Sequence, residues 1–141
     1  MLGKVLLTSI LVGVLFFLSA CGDSAEPYEP MKPDETALPA EVEAWVEDSR
    51  NKFMAQTLEH EGLLYLLVTY GEKPTGGYTV EITEIAEEEG KLVVTAHFSE
   101  PGEDEMVTQA LTYPYDLAII DDPGLPVEFI ATGAETGIPT G

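Results

Sequence analysis

The residues that could carry covalent chemistry are few and poorly placed for it. Past the first twenty residues the hydroxyl nucleophiles among the serines are Ser24, Ser49 and Ser99, and the two histidines are His60 and His97. His97 and Ser99 fall on one face of an extended run, but two residues of strand separate their Cα atoms by about 6.5–7 Å, long for a base and its nucleophile. No Gly-x-Ser-x-Gly elbow occurs. Zinc chemistry lacks its usual signatures, since there is no His-Glu-x-x-His and no cysteine pair. Asp104, Asp121, Asp122 and many glutamates could attract calcium, yet no twelve-residue EF-hand loop is present. No catalytic residue, metal site or cofactor is assigned. An acidic pair meeting in space could still serve glycoside hydrolysis, so a cell-wall enzyme stays an open alternative.

One loop offers non-covalent chemistry. In "KPTGGYTVEI", Lys73 to Ile82, a cation, a proline and two adjacent glycines precede a strand-like run. Read as structure, Pro74 presets a turn, Gly76 and Gly77 permit positive φ, and Tyr78 opens the strand with its ring on the core. Read as a site, successive N–H groups of the loop form an anion-binding concavity beside Lys73, suited to a partner's carboxylate. Both readings stand at this point. Lys73 itself is expected to add little to stability. A nucleotide phosphate loop is disfavoured, because the Gly-Lys-Ser/Thr ending is missing.

The N-terminus carries a different chemistry. Lys4 precedes an apolar run from Val5 to Leu18, too short for a membrane span and of the right length for a signal-peptide core. The run ends in Leu18-Ser19-Ala20-Cys21, which resembles the lipobox of bacterial lipoproteins. That resemblance implies cleavage after residue 20, diacylation of Cys21 and anchoring on the extracytoplasmic face of a bacterial membrane, for which two acyl chains suffice. Cys21 is the only cysteine, so no disulfide can form within the chain.

Charge narrows the partners. The formal net charge is −20, with 6 basic against 26 acidic residues. Nucleic acid is excluded as a partner, since phosphate binding needs lysine and arginine clusters. The charge favours solubility, and secondarily attraction of cations or a basic partner. A small-ligand or cation-binding envelope lipoprotein is therefore a second alternative.

Residues 1–20 read as the signal peptide, and 21–37 as the lipidated cysteine followed by a disordered acidic tether. Residues 38–131 form one globular domain and 132–141 a loose tail. Leu38 to about Lys52 has helical spacing, with Leu38, Val42, Trp45, Val46 and, just past it, Phe53 as an apolar stripe. Trp45 would anchor a partner if that helix were a docking element. Strands are expected over Met54–Leu58, Leu63–Tyr70, Tyr78–Ala86, Leu92–Phe98, Glu105–Thr112, Tyr115–Ile120 and Val127–Ala131. The almost wholly apolar run from Leu63 to Val68 predicts a central strand covered on both faces. The fold class is α+β: one short N-terminal helix on a mostly antiparallel sheet, or a compact sandwich, of about six or seven strands.

Taken in order, "GEKPTGGYTVEI", a Glu-Gly turn, "KLVVTAHF", a Pro-Gly loop and "ALTYPYDLAII" resemble the PrcB C-terminal domain family. The resemblance runs from about Tyr65 to Ile130. It rests on a Thr-Gly-Gly-Tyr element, here Thr75, Gly76, Gly77 and Tyr78, and a Tyr-Pro-Tyr element, here Tyr113, Pro114 and Tyr115. The family is named for a lipoprotein subunit of a bacterial surface protease complex. The resemblance implies a noncatalytic accessory domain that binds or stabilises another surface protein. Contact residues are then expected at Lys73, Thr75, Gly76, Gly77, Tyr78, Tyr113 and Tyr115. In the opposing reading, Tyr113 and Tyr115 are core residues flanking a kink at Pro114.

Overall fold

The structure, a computed structural model, describes residues 27–33 and 38–141. The signal segment, the lipobox and Cys21 lie outside them. One helix, α1 (Ala40–Ser49), is followed by six strands: β1 (Phe53–His60), β2 (Leu63–Tyr70), β3 (Thr79–Glu88), β4 (Lys91–Ser99), β5 (Tyr115–Asp121) and β6 (Val127–Gly133). They form two three-stranded sheets, ordered β1-β2-β5 and β3-β4-β6.

Both hairpins turn on the same dipeptide. Glu61-Gly62 joins β1 to β2 and Glu89-Gly90 joins β3 to β4, with φ of 51° and 80° in the first turn and 51° and 76° in the second. Positive φ at both central residues matches the twist of the flanking strands, and glycine bears it without a Cβ penalty.

The central strand is as its sequence implies. β2 lies between β1 and β5, and its residues from Leu64 to Tyr70 are all buried. Leu64, Leu66, Val68 and Tyr70 enter the core between the two sheets, where they meet Ile82, Ile85, Leu92, Val94 and Phe98. Tyr65 and Leu67 point the other way and join Val42 and Val46 of α1. The period of two thus divides one strand between two cores, and a one-residue slip would exchange them. The helix is held by its valines and by the Trp45 indole N–H, which donates to Gln56 Oε1 at 2.8 Å. Trp45 therefore anchors α1 to β1.

Several sequence expectations are corrected. The helix is shorter than Leu38–Lys52, and Phe53 leaves it to stand edge-on to Phe98 in the inter-sheet core. Glu105 to Leu111 forms no strand; its backbone is partly satisfied by the facing loop instead of a sheet. β6 pairs with β4 in parallel, while the other three strand pairs are antiparallel. The Asp122–Pro126 connection crosses from one sheet to the other, which brings β6 in along β4 rather than against it.

The segments expected to be loose differ as well. Within the acidic tether, Tyr28 packs on the inter-sheet core and its N–H donates to Ile85 O at 2.8 Å. Met31 exchanges two backbone hydrogen bonds with Ile119. Residues 27–31 thus bridge β3 and β5, the facing edges of the two sheets. Below this strap, Asp116 Oδ2 accepts the Ile82 N–H at 2.7 Å and the Lys32 ammonium at 2.6 Å. The bulge between Ile82 and Glu84 accompanies that bond. In the C-terminal tail, Ile138 packs on the core, Ala55 N–H donates to Pro139 O, and Gly141 N–H donates to Ala55 O.

Candidate functional site

Residues 71–78, between β2 and β3, face residues 100–114, between β4 and β5. The two connections are laced together. Lys73 and Thr112 exchange backbone hydrogen bonds at 2.9 Å, and Gly76 N–H donates to Thr108 O at 2.9 Å. The Thr112 hydroxyl donates to Thr75 O at 2.7 Å, and the Thr75 hydroxyl to Gly76 O at 2.9 Å. The Lys73 and Gly76 amides are therefore already committed to carbonyls. That removes two donors from the anion-binding concavity and favours the structural reading of the loop.

The two glycines do different work. Gly77 has φ +87°, and a Cβ there would stand 2.7 Å from Pro101 Cβ and 2.8 Å from Val107 Cγ1. Both the conformation and the close approach of the second loop require glycine. Gly76 is not among the positive-φ glycines, and a Cβ there would meet Thr108 at an ordinary 3.5 Å. Only one of the pair uses the freedom the sequence suggests for both.

Under the loop lies an aromatic cluster. The Tyr70 ring meets Phe98 at 4.8 Å, Tyr78 at 6.0 Å and Phe53 at 6.1 Å between centroids. The Lys73 ammonium stands 3.7 Å from the Tyr70 centroid and 5.3 Å from that of Tyr78. This is cation–π geometry, so Lys73 caps the aromatic core rather than standing as a free charge. Tyr70 is 1% exposed, and its hydroxyl makes no hydrogen bond among the described residues. Burial, then the charges of Glu135 and Glu100, push its phenol up to about 12. Glu135 acts through its charge, since no acceptor among the described residues meets hydrogen-bond geometry at that oxygen.

The two later tyrosines separate. Tyr113 joins the site, its hydroxyl donating to Glu72 Oε2 at 2.9 Å, and that hydrogen bond raises its pKa. Tyr115 lies toward the helix, under the Arg50 guanidinium at 5.2 Å from the ring centroid, and is exposed. Neither is a fully buried core residue, and of the two only Tyr113 bonds to the 71–78 loop.

Two exposed apolar side chains that the sequence did not single out are on the second connection. Met106 is 99% exposed and Leu111 58% exposed, both on the 100–114 loop that Lys73, Thr75 and Gly76 hold in place. Read as part of a strand, Met106 and Leu111 gave no signal of exposure. Among the described residues no group of three or more His, Cys, Asp or Glu side chains gathers as a metal site, and no helix is long and apolar enough to cross a membrane.

Residues 64–121 match the family described as PrcB C-terminal. The match takes in β2 to β5 with both laced loops, and ends before β6, short of the Ile130 limit drawn from the sequence. No curated protein and no solved structure matches the chain.

Proposed function

We propose, from the match of residues 64–121 to the family described as PrcB C-terminal, that this chain is a noncatalytic accessory lipoprotein whose β-rich domain binds or stabilises another surface protein. A surface protease is the partner that the family name suggests. Acyl chains on Cys21 would hold it to the extracytoplasmic face of a bacterial membrane.

The observation that carries the reading is the loop pair. Its backbones are hydrogen-bonded to each other and Gly77 leaves no slack between them, yet it presents Met106 and Leu111 to solvent. A rigid loop with exposed large apolar side chains loses little conformational entropy on docking to a partner.

The test uses photo-crosslinking residues placed at Met106 and Leu111 in intact cells. One reproducible protein partner, lost in the M106D/L111D variant without a change in melting temperature, is expected. Its absence across growth conditions would overturn the binding reading. For the anchor, Cys21→Ser is expected to move the protein from the membrane fraction to the soluble extracytoplasmic fraction. Retention on the membrane would refute lipidation at this residue.

A further inference from the structure

The two sheets are joined on one side and open on the other. The strap at residues 27–31 and the Asp116 carboxylate link β3 to β5. On the far side β1 and β6 are each the outer strand of a sheet, and a groove of about 600 Å³ runs between them. Thr140 and Gly141 line this groove and cover only part of the β1 edge.

The unused edge can be read from the hydrogen-bond register. Ala55 directs both its N–H and its C=O away from β2, to Pro139 and Gly141. Antiparallel pairs alternate, so Thr57 and Glu59, two and four residues on, direct theirs the same way. Among the described residues no backbone group takes these up. On the opposite wall, Leu92 N–H bonds to Pro126 O, so Val127 and Phe129 turn their backbone groups away from β4 and toward the groove.

We propose that the groove between β1 and β6 is a strand-addition site for an extended, lysine- or arginine-bearing segment of a partner protein. This rests on the accessory-protein reading and adds to it a second surface, apart from the Met106 and Leu111 loop. Three observations select that occupant. First, the chain's own residues 139–141 already run parallel to β1 at Ala55, which shows that this edge accepts an added strand. Second, the groove is floored by Leu64 and Phe129, which suit the inward side chains of an alternating segment. Third, Glu59 and Asp122 line it on a chain of net charge −20. That field attracts a basic segment and repels a second copy of this chain.

The probe is a peptide of about eight residues alternating lysine and valine, the length of a strand, added to the full chain. Hydrogen exchange at the Thr57 and Glu59 amides is expected to slow about tenfold. Glu59→Lys is expected to weaken the peptide about tenfold through like-charge repulsion. Thr57→Pro removes an outward N–H that β2 does not use, so it is expected to abolish protection while the β1–β2 ladder persists. Should Thr57→Pro unfold the chain, Glu59→Lys decides alone. Equal binding of a glutamate–valine peptide, or protection confined to other segments, would overturn the proposal. So would protection that rises with protein concentration in the absence of peptide, which assigns the edge to a second copy. If cells yield a crosslinked partner at Met106 while the peptide protects nothing, the groove site fails and the accessory reading stands. If no partner is captured anywhere on the chain, the reading fails and takes this site with it.

Discussion

Lys73 holds its ammonium 3.7 Å from the centroid of the buried Tyr70 ring. A cation expected to serve a binding loop is thereby part of the fold. Lys73→Ala removes both the cation–π contact and the aliphatic stem over the ring, so it is expected to cost about 1 kcal/mol. Lys73→Arg should recover most of that. Urea denaturation of the two variants checks the ranking, and equal stability of Lys73→Ala and the parent would show that the contact contributes nothing.

Adjacent glycines are expected to respond oppositely to a side chain. Gly77→Val combines left-handed strain with contacts under 3 Å to Pro101 and Val107, and should destabilise by about 2 kcal/mol or more. In a domain of this size that lowers the melting temperature by about 10 °C. Gly76→Ala has room and an unstrained φ, so a change within about 0.5 kcal/mol is expected. A thermal melt in which Gly76→Ala is the worse variant would reverse the assignment of roles.

Wherever burial is local and periodic, the sequence was a sufficient guide. The apolar run of β2 and the alternation of β4 from Leu92 to Phe98 report their surroundings directly, and both strands lie where expected. Long-range choices leave no such trace. Nothing in the residues of β6 states that it runs parallel to β4, because direction depends on which sheet receives it. Met106, Val107 and Leu111 have strand-like side chains, but their backbone meets the Lys73 loop rather than a strand edge. Tyr28 and Met31 are too sparse among acidic residues and prolines to signal that they dock on Ile85 and Ile119. Of the site, the glycine loop and Tyr113 were legible as motifs, whereas the exposure of Met106 and Leu111 is a tertiary fact.

Asp116 joins the two sheets through a single oxygen. Its side chain is 18% exposed, and Oδ2 takes both the Ile82 amide and the Lys32 ammonium. Asp116→Ala would leave the Ile82 N–H without its charged acceptor and free the strap at Lys32. The expected cost is about 2–3 kcal/mol. Lys32→Ala removes only the half-exposed cation and should cost less than about 1 kcal/mol. Exchange at the Met31 and Tyr28 amides is expected to speed up in Asp116→Ala ahead of the core. Uniform acceleration through all strands would show that the carboxylate acts on global stability alone.

Tyr70 makes alkaline stability a test of the core. Its phenol ionises near 10 in the unfolded chain and is pushed up to about 12 in the fold, first by burial and then by Glu135 and Glu100. Folding therefore favours the protonated form. The associated stabilisation is complete below pH 10 and is lost as pH rises through 12, an effect of about 2–3 kcal/mol over that window. Tyr70→Phe keeps the ring for Lys73 and Phe98, and removes a buried hydroxyl that has no hydrogen-bond partner among the described residues. Neutral pH stability should be unchanged or raised, and the fall above pH 10 should shrink. Absorbance titration of the phenolates, set beside denaturation curves at pH 8 to 12, reads both effects. A Tyr70 that ionises near pH 10 in the folded protein, as in the unfolded chain, would place water or a strong acceptor at its hydroxyl.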